Sequence, residues 1–141
     1  MKSVKFLFMA GAVTLFSFVL SANDTAVYRD ARGRTVGTET VQGNRTVYRD
    51  AHGRVAGTET VNGNTATMRD ARGRIVGTKT VQGNRTVYRD ARGRTVGTET
   101  VNGNTSTMRD AQGRFIGTKT QDASGGTTLR DAQGRQVGTK R

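Results

Sequence analysis

The chain has 141 residues with no cysteine, no tryptophan, one histidine and a formal net charge of +12. The missing cysteine excludes disulfides and a lipid-anchored cysteine at a signal-peptide cleavage site. A surface this basic favours anionic partners.

In chain order, the first element is a secretory signal at residues 1–22. Lys2 and Lys5 precede an apolar run from Phe6 to Leu20, which small residues, Ser21 and Ala22, close. A run of that length is short for a bilayer, where a spanning helix needs roughly 20 residues. Cleavage is expected near Ala22 or after Ser21, placing the protein in the periplasm, at the cell surface or outside the cell. Loss of Lys2 and Lys5 leaves 21 basic against 11 acidic side chains. The remaining chain has few large apolar side chains, so its order must come from repetition rather than from an ordinary core.

From residue 23 the sequence repeats every twenty residues. Arg29-Asp30-Ala31 recurs as Arg49-Asp50-Ala51, Arg69-Asp70-Ala71, Arg89-Asp90-Ala91 and Arg109-Asp110-Ala111, and a sixth time, one residue late, as Arg130-Asp131-Ala132. Residues 23–120 therefore read as five tandem repeats, 121–126 as a Gly/Ser joint that absorbs the slip, and 127–141 as a partial sixth, capping repeat. Each unit carries two turn signals about ten residues apart. Asp-Ala-x-Gly suits a type I turn whose glycine takes positive φ in a bulge, which assigns Gly33, Gly53, Gly73, Gly93, Gly113 and Gly134 to turns. Asn62-Gly63 and Asn102-Gly103 signal type I′ hairpins. The runs between are rich in Thr, Val and Tyr, which is strand chemistry, and no helical periodicity follows the signal segment.

The expected fold is all-β: tandem hairpins of about twenty residues forming an elongated meander or a β-solenoid, behind an N-terminal signal helix. Hairpins are favoured over solenoid rungs, because in-register rungs would stack the Asp of every Arg-Asp-Ala triplet on the next. A forty-residue period overlies the shorter one. Tyr48, Met68, Tyr88 and Met108 alternate, and Glu59, Lys79, Glu99 and Lys119 alternate with them. If neighbouring copies touch, Glu sits beside Lys; Glu39, followed by Glu59, breaks that rule.

The run Gly43-Asn44-x-Thr46-x-Tyr48-x-Asp50-Ala51-x-Gly53-Arg54, repeated along the chain, resembles the YD repeat of Rhs-type secreted bacterial proteins. The resemblance implies an extracytoplasmic array of β-hairpins. In that family the hairpins spiral into wide shells, and six short copies cannot enclose a protein cargo. Arginine stands where the family has Tyr before its Asp, and Thr35, Val55, Ile75, Thr95, Phe115 or Gln136 stands where it has Leu. Short MORN-type hairpin repeats are a second likeness, and the recurring Gln/Asn-Gly-Asn resembles curli-type fibre subunits.

Little in the chain points to catalysis. The one histidine, His52, occupies a turn position filled elsewhere by Arg32, Arg72, Arg92, Gln112 or Gln133, so it is a surface substitution. No Ser-His-Asp set recurs, no carboxylate pair is marked out, and the lone Asp of each triplet lacks the neighbouring oxygen ligands of a calcium loop. No enzyme activity, cofactor or metal is expected. The arginine after each turn glycine, at Arg34, Arg54, Arg74, Arg94, Arg114 and Arg135, is the one long side chain present in every copy. These form either a cationic row for phosphate, sulfate or carboxylate groups, or clamps to the Asp of their own or the next hairpin. The Thr-x-Thr tripeptides, from Thr38/Thr40 to Thr118/Thr120, place two hydroxyls on one strand face, like the arrays of ice-binding proteins. The leading expectation is a non-enzymatic exported protein that binds an anionic glycan, lipopolysaccharide or membrane surface, with nucleic acid not expected in vivo. The alternative is a self-associating, curli-like fibre protein.

Overall fold

The computed structural model describes residues 25–141; the expected signal helix lies outside the described residues. The rest is twelve antiparallel strands: β1 (Thr25–Asp30), β2 (Thr35–Gln42), β3 (Arg45–Asp50), β4 (Val55–Asn62), β5 (Thr65–Asp70), β6 (Ile75–Gln82), β7 (Arg85–Asp90), β8 (Thr95–Asn102), β9 (Thr105–Asp110), β10 (Phe115–Gln121), β11 (Thr127–Asp131) and β12 (Gln136–Lys140). Each pairs with its sequence neighbours, and β12 pairs with β1, so the sheet closes into a barrel. Hairpins of about twenty residues are present as expected, but the array is a ring rather than an elongated meander or a solenoid.

The register explains the closure. Thr40 pairs with Val47, which pairs with Thr58, the residue equivalent to Thr38 rather than to Thr40. Every hairpin is thus offset by two residues from the last, and an accumulated offset is what tilts strands and curls a sheet. The offset coincides with a bulge in each unit, as between Tyr48 and Arg49, where Arg49 faces Val55 and Tyr48 faces Gly57. Six such steps bring Thr139 opposite Arg29 in the relation that Thr78 has to Arg89. Twelve tilted strands about 4.8 Å apart give a backbone diameter of roughly 23 Å.

Two kinds of glycine make the repeat possible. Gly73 sits at φ 80 in the Asp-Ala-x-Gly turn, with open space around it, so its requirement is conformational. Gly77 is needed for space: a Cβ there would lie 2.3 Å from the backbone oxygen of Arg89. At the opposite end of the barrel the turn is centred one residue later than the Asn-Gly reading. Asn62 and Thr65 are the last ladder pair, leaving Gly63 and Asn64 as the two turn residues, with Gly63 at φ 60. The asparagine then joins hairpins: Asn64 accepts through its backbone oxygen from the Val81 N–H, and the Asn44 side chain donates to the Val61 oxygen.

The segment between β10 and β11 is a turn of the other kind, moved to this end. Asp122 N–H donates to the Gly126 oxygen and Gly125 N–H to the Asp122 oxygen, with Gly125 at φ 85. That is the bonding of Asp30 to Gly33 and Arg34. Asp122-Ala123-Ser124-Gly125 is the repeat's own Asp-Ala-x-Gly, and its extra length is the one-residue slip.

Candidate functional site

The six Asp-Ala-x-Gly-Arg turns all fall at one mouth of the barrel. In each, the carboxylate builds the turn, as where Asp70 Oδ1 accepts the backbone N–H groups of Arg72 and Arg74 while Oδ2 accepts from the Arg74 guanidinium at 2.8 Å. The same pairing joins Arg34 to Asp30, Arg54 to Asp50, Arg94 to Asp90, Arg114 to Asp110 and Arg135 to Asp131. Each arginine therefore clamps its own hairpin rather than the next. The turns do not stack in a row; they stand in a ring. Their glycines, Gly33, Gly53, Gly73, Gly93, Gly113 and Gly134, all adopt φ between 78 and 80.

The clamp does not use up the cation. The six arginine side chains remain 71–76% exposed. A second set reaches the same rim from the strand ends: Arg29, Arg49, Arg69, Arg109 and Arg130 donate to the backbone oxygen of the turn glycine four residues on. With Arg89 and the turn residues Arg32, Arg72 and Arg92, this mouth holds fifteen arginines against six aspartates. The far mouth has Arg45, Arg85 and Arg141 against Asp122. Hydrogen bonds hold the aspartates ionised. At Asp30 the largest effect is the Arg34 backbone N–H, and at Asp90 it is the Arg94 guanidinium; both carboxyls lie below their ordinary value. At Asp50, Asp70, Asp110 and Asp131 desolvation is the largest single effect and opposes ionisation, but the hydrogen bonds together outweigh it. His52 lies on an exposed turn, its backbone N–H donating to Asp50.

The lumen carries the other charges. Tyr28, Tyr48, Met68, Tyr88, Met108 and Leu129 are buried, and so are Glu39, Glu59, Lys79, Glu99, Lys119 and Lys140. Glu59 pairs with Lys79 at 2.9 Å, Glu99 with Lys119 at 2.9 Å, and Glu39 with Lys140. The last pair crosses the closing seam, and it resolves the misfit of Glu39 beside Glu59. Burial pushes Glu59 up and Lys79 and Lys119 down, toward their neutral forms, against the attraction of their partners. Among the described residues the lumen is balanced, three acids to three bases, so their net charge is displayed outside and mostly at one mouth.

The Tyr/Met and Glu/Lys alternations are one rule. The hairpins holding Glu39, Glu59 and Glu99 hold Tyr28, Tyr48 and Tyr88, whose hydroxyls donate to those carboxylates at 2.6, 3.3 and 2.8 Å. The hairpins holding Lys79, Lys119 and Lys140 hold Met68, Met108 and Leu129, which have no hydroxyl donor to set beside an ammonium. Burial first, then the adjacent carboxylates, keeps the Tyr48 and Tyr88 phenols protonated far above their ordinary range.

The Thr-x-Thr hydroxyls face outward, with Glu39 or Lys79 between them pointing in, so they wrap a cylinder instead of forming a plane. Among the described residues no group of three or more His, Cys, Asp or Glu side chains is placed to hold a metal ion. Comparison with known proteins finds no family model that matches the chain and no curated protein that matches its sequence.

Proposed function

We propose that this chain is a non-enzymatic, exported barrel that binds an anionic component of a cell envelope or matrix through its arginine-rich mouth. One observation carries the reading: the excess positive charge is concentrated on one rim, where six clamped guanidinium groups stay about three-quarters exposed. Clamping holds each planar fork in place before a ligand arrives, which lowers the entropy lost on binding phosphate, sulfate or carboxylate groups. Clamp and ligand site are thus two uses of one residue. The YD-like hairpin grammar and the secretory start of the sequence favour an extracytoplasmic setting. Barrel closure weighs against the fibre alternative, because β1 and β12 cover each other's edges and leave no open edge strand among the described residues for another copy to extend.

The test sets one mouth against the other. Replacing Arg54, Arg74 and Arg94 with Gln should weaken heparin binding sharply and reduce its dependence on salt, whereas Gln at Arg45, Arg85 and Arg141 should change it little. Equal losses from the two triple variants would leave only a diffusely basic surface and overturn the proposal.

A further inference from the structure

The five exposed large hydrophobic residues of the described chain are Val55, Ile75, Val76, Phe115 and Val137. All five follow a turn arginine directly or by one residue, so all lie at the arginine-rich mouth. Three of them are set into the cationic rim on the outer wall: Val55 faces Arg49 across the ladder, Ile75 faces Arg69, and Phe115 faces Arg109. They are 40%, 47% and 41% exposed. The equivalent residues in the other copies are Thr35, Thr95 and Gln136, so the three apolar positions fall on the second, third and fifth of the six hairpins around the ring, and the exposed Val137 lies on the sixth.

Soluble polyanions are recognised by charge and hydrogen bonds, and exposed valine, isoleucine and phenylalanine add nothing to such contacts. A bilayer surface uses both chemistries, with anionic headgroups for arginine and the acyl boundary beneath for apolar side chains. The barrel wall itself does not suit the membrane interior. Its outward positions carry residues such as Thr38, Thr40, Arg45 and Arg49, where a spanning barrel needs an apolar band about 25 Å tall. We infer that the barrel docks end-on upon an anionic phospholipid bilayer, with the arginine ring at the headgroups and Val55, Ile75 and Phe115 inserted just below them. This rests on the proposed function and names its partner.

The experiment uses lipid vesicles of phosphatidylcholine with about one-third phosphatidylglycerol, pure phosphatidylcholine vesicles, and heparin as the soluble polyanion. The chain has no tryptophan, so Phe115→Trp gives a single reporter at the rim and Gln82→Trp, in a separate variant, one at the far mouth. With the anionic vesicles, emission from the rim reporter should shift to the blue and be quenched by brominated acyl chains, while the far-mouth reporter emits as in water. Replacing Val55, Ile75 and Phe115 with Ser should reduce partitioning onto those vesicles roughly tenfold or more, from the lost apolar burial, and leave heparin affinity unchanged. If heparin binds but vesicles do not, or if the rim reporter stays in water and the serine variant partitions as well as the parent, lipid docking is overturned and the charge reading stands. Failure to bind either vesicles or heparin would overturn both. The comparison of the two reporters decides the matter even if the serine variant folds poorly.

Discussion

Replacing Lys79 with Met should be among the most damaging single changes available to this protein. Lys79 and Glu59 are each 1% exposed, and the variant leaves the Glu59 carboxylate buried with the Tyr48 hydroxyl, 3.3 Å away, as its remaining donor. Removing one partner of a buried ion pair costs about 3–5 kcal/mol. A barrel of this size has a total stability of roughly 6–15 kcal/mol, so melting should fall by about 10–20 °C. Adding Glu59→Gln should restore most of the loss, because a neutral amide no longer needs the ammonium, and methionine already fills the lumen at Met68 and Met108. The damage should also depend on pH. Burial raises the Glu59 pKa above its ordinary value of 4.5, so its unfavourable ionisation grows as pH climbs through the raised value and disappears below 4.5. Urea unfolding followed by circular dichroism, at pH 4 and pH 8, measures each contribution. In an open array Lys79 would be a surface residue worth about 0–1 kcal/mol. A loss that small in the single variant, or no recovery in the double, would refute the lumenal pairing.

The two kinds of glycine should respond differently. Gly77→Ala drives a Cβ against the Arg89 carbonyl and should cost about 1–3 kcal/mol despite the small side chain, as chemical denaturation would show. Gly73→Val and Gly134→Val, at φ 80 and 79, should cost similar amounts, of order 1–2 kcal/mol. A much milder effect at Gly134 would mark the sixth copy as a loose end, contrary to closure. The turn aspartates sit below their ordinary value of 3.8, so their contribution is complete above that pH and is lost as pH falls through the lower folded value. Melting temperature should therefore decline from pH 4 to pH 2, and Asn at Asp50, Asp70 and Asp90 should lower it at neutral pH while flattening that decline.

The local grammar of this fold is legible because it is repeated. Positive φ at Gly73 follows from Asp-Ala-x-Gly, and strands follow from threonine and valine between the turns. The Asn62-Gly63 signal places its turn one residue early because Asn62 pairs in the ladder, which the dipeptide alone does not show. Closure is harder to see, since it depends on a register offset of two residues per hairpin, and register is a property of paired strands. One clue is present in the chain. Glu39 is followed by a second glutamate in the next copy, while Lys140 occupies the matching place in the sixth; counted around a circle, three acids and three bases pair off. The Asp-Ala-x-Gly hidden in residues 122–125 is a second clue, obscured by the absent arginine. Of the candidate site, the arginines of the turns can be found from sequence. Their gathering into a ring, and the apolar residues set among them, need the barrel.

Closure is the central claim, and a disulfide across the seam tests it most directly. Arg29 and Thr139 face each other on β1 and β12, and the chain has no cysteine of its own. Facing residues of an antiparallel pair lie about 4.5–5.5 Å apart at Cα, within the span a disulfide bridges. In an open stack of six hairpins the same residues would be roughly 50 Å apart. The control is Thr78→Cys with Arg89→Cys, which occupies the identical register inside the array and should bridge in either architecture. The barrel predicts that Arg29→Cys with Thr139→Cys oxidises within the dilute, folded monomer as readily as the control, giving a faster-migrating band on a non-reducing gel. Free thiols or intermolecular dimers in the seam variant, beside an intact bridge in the control, would contradict it.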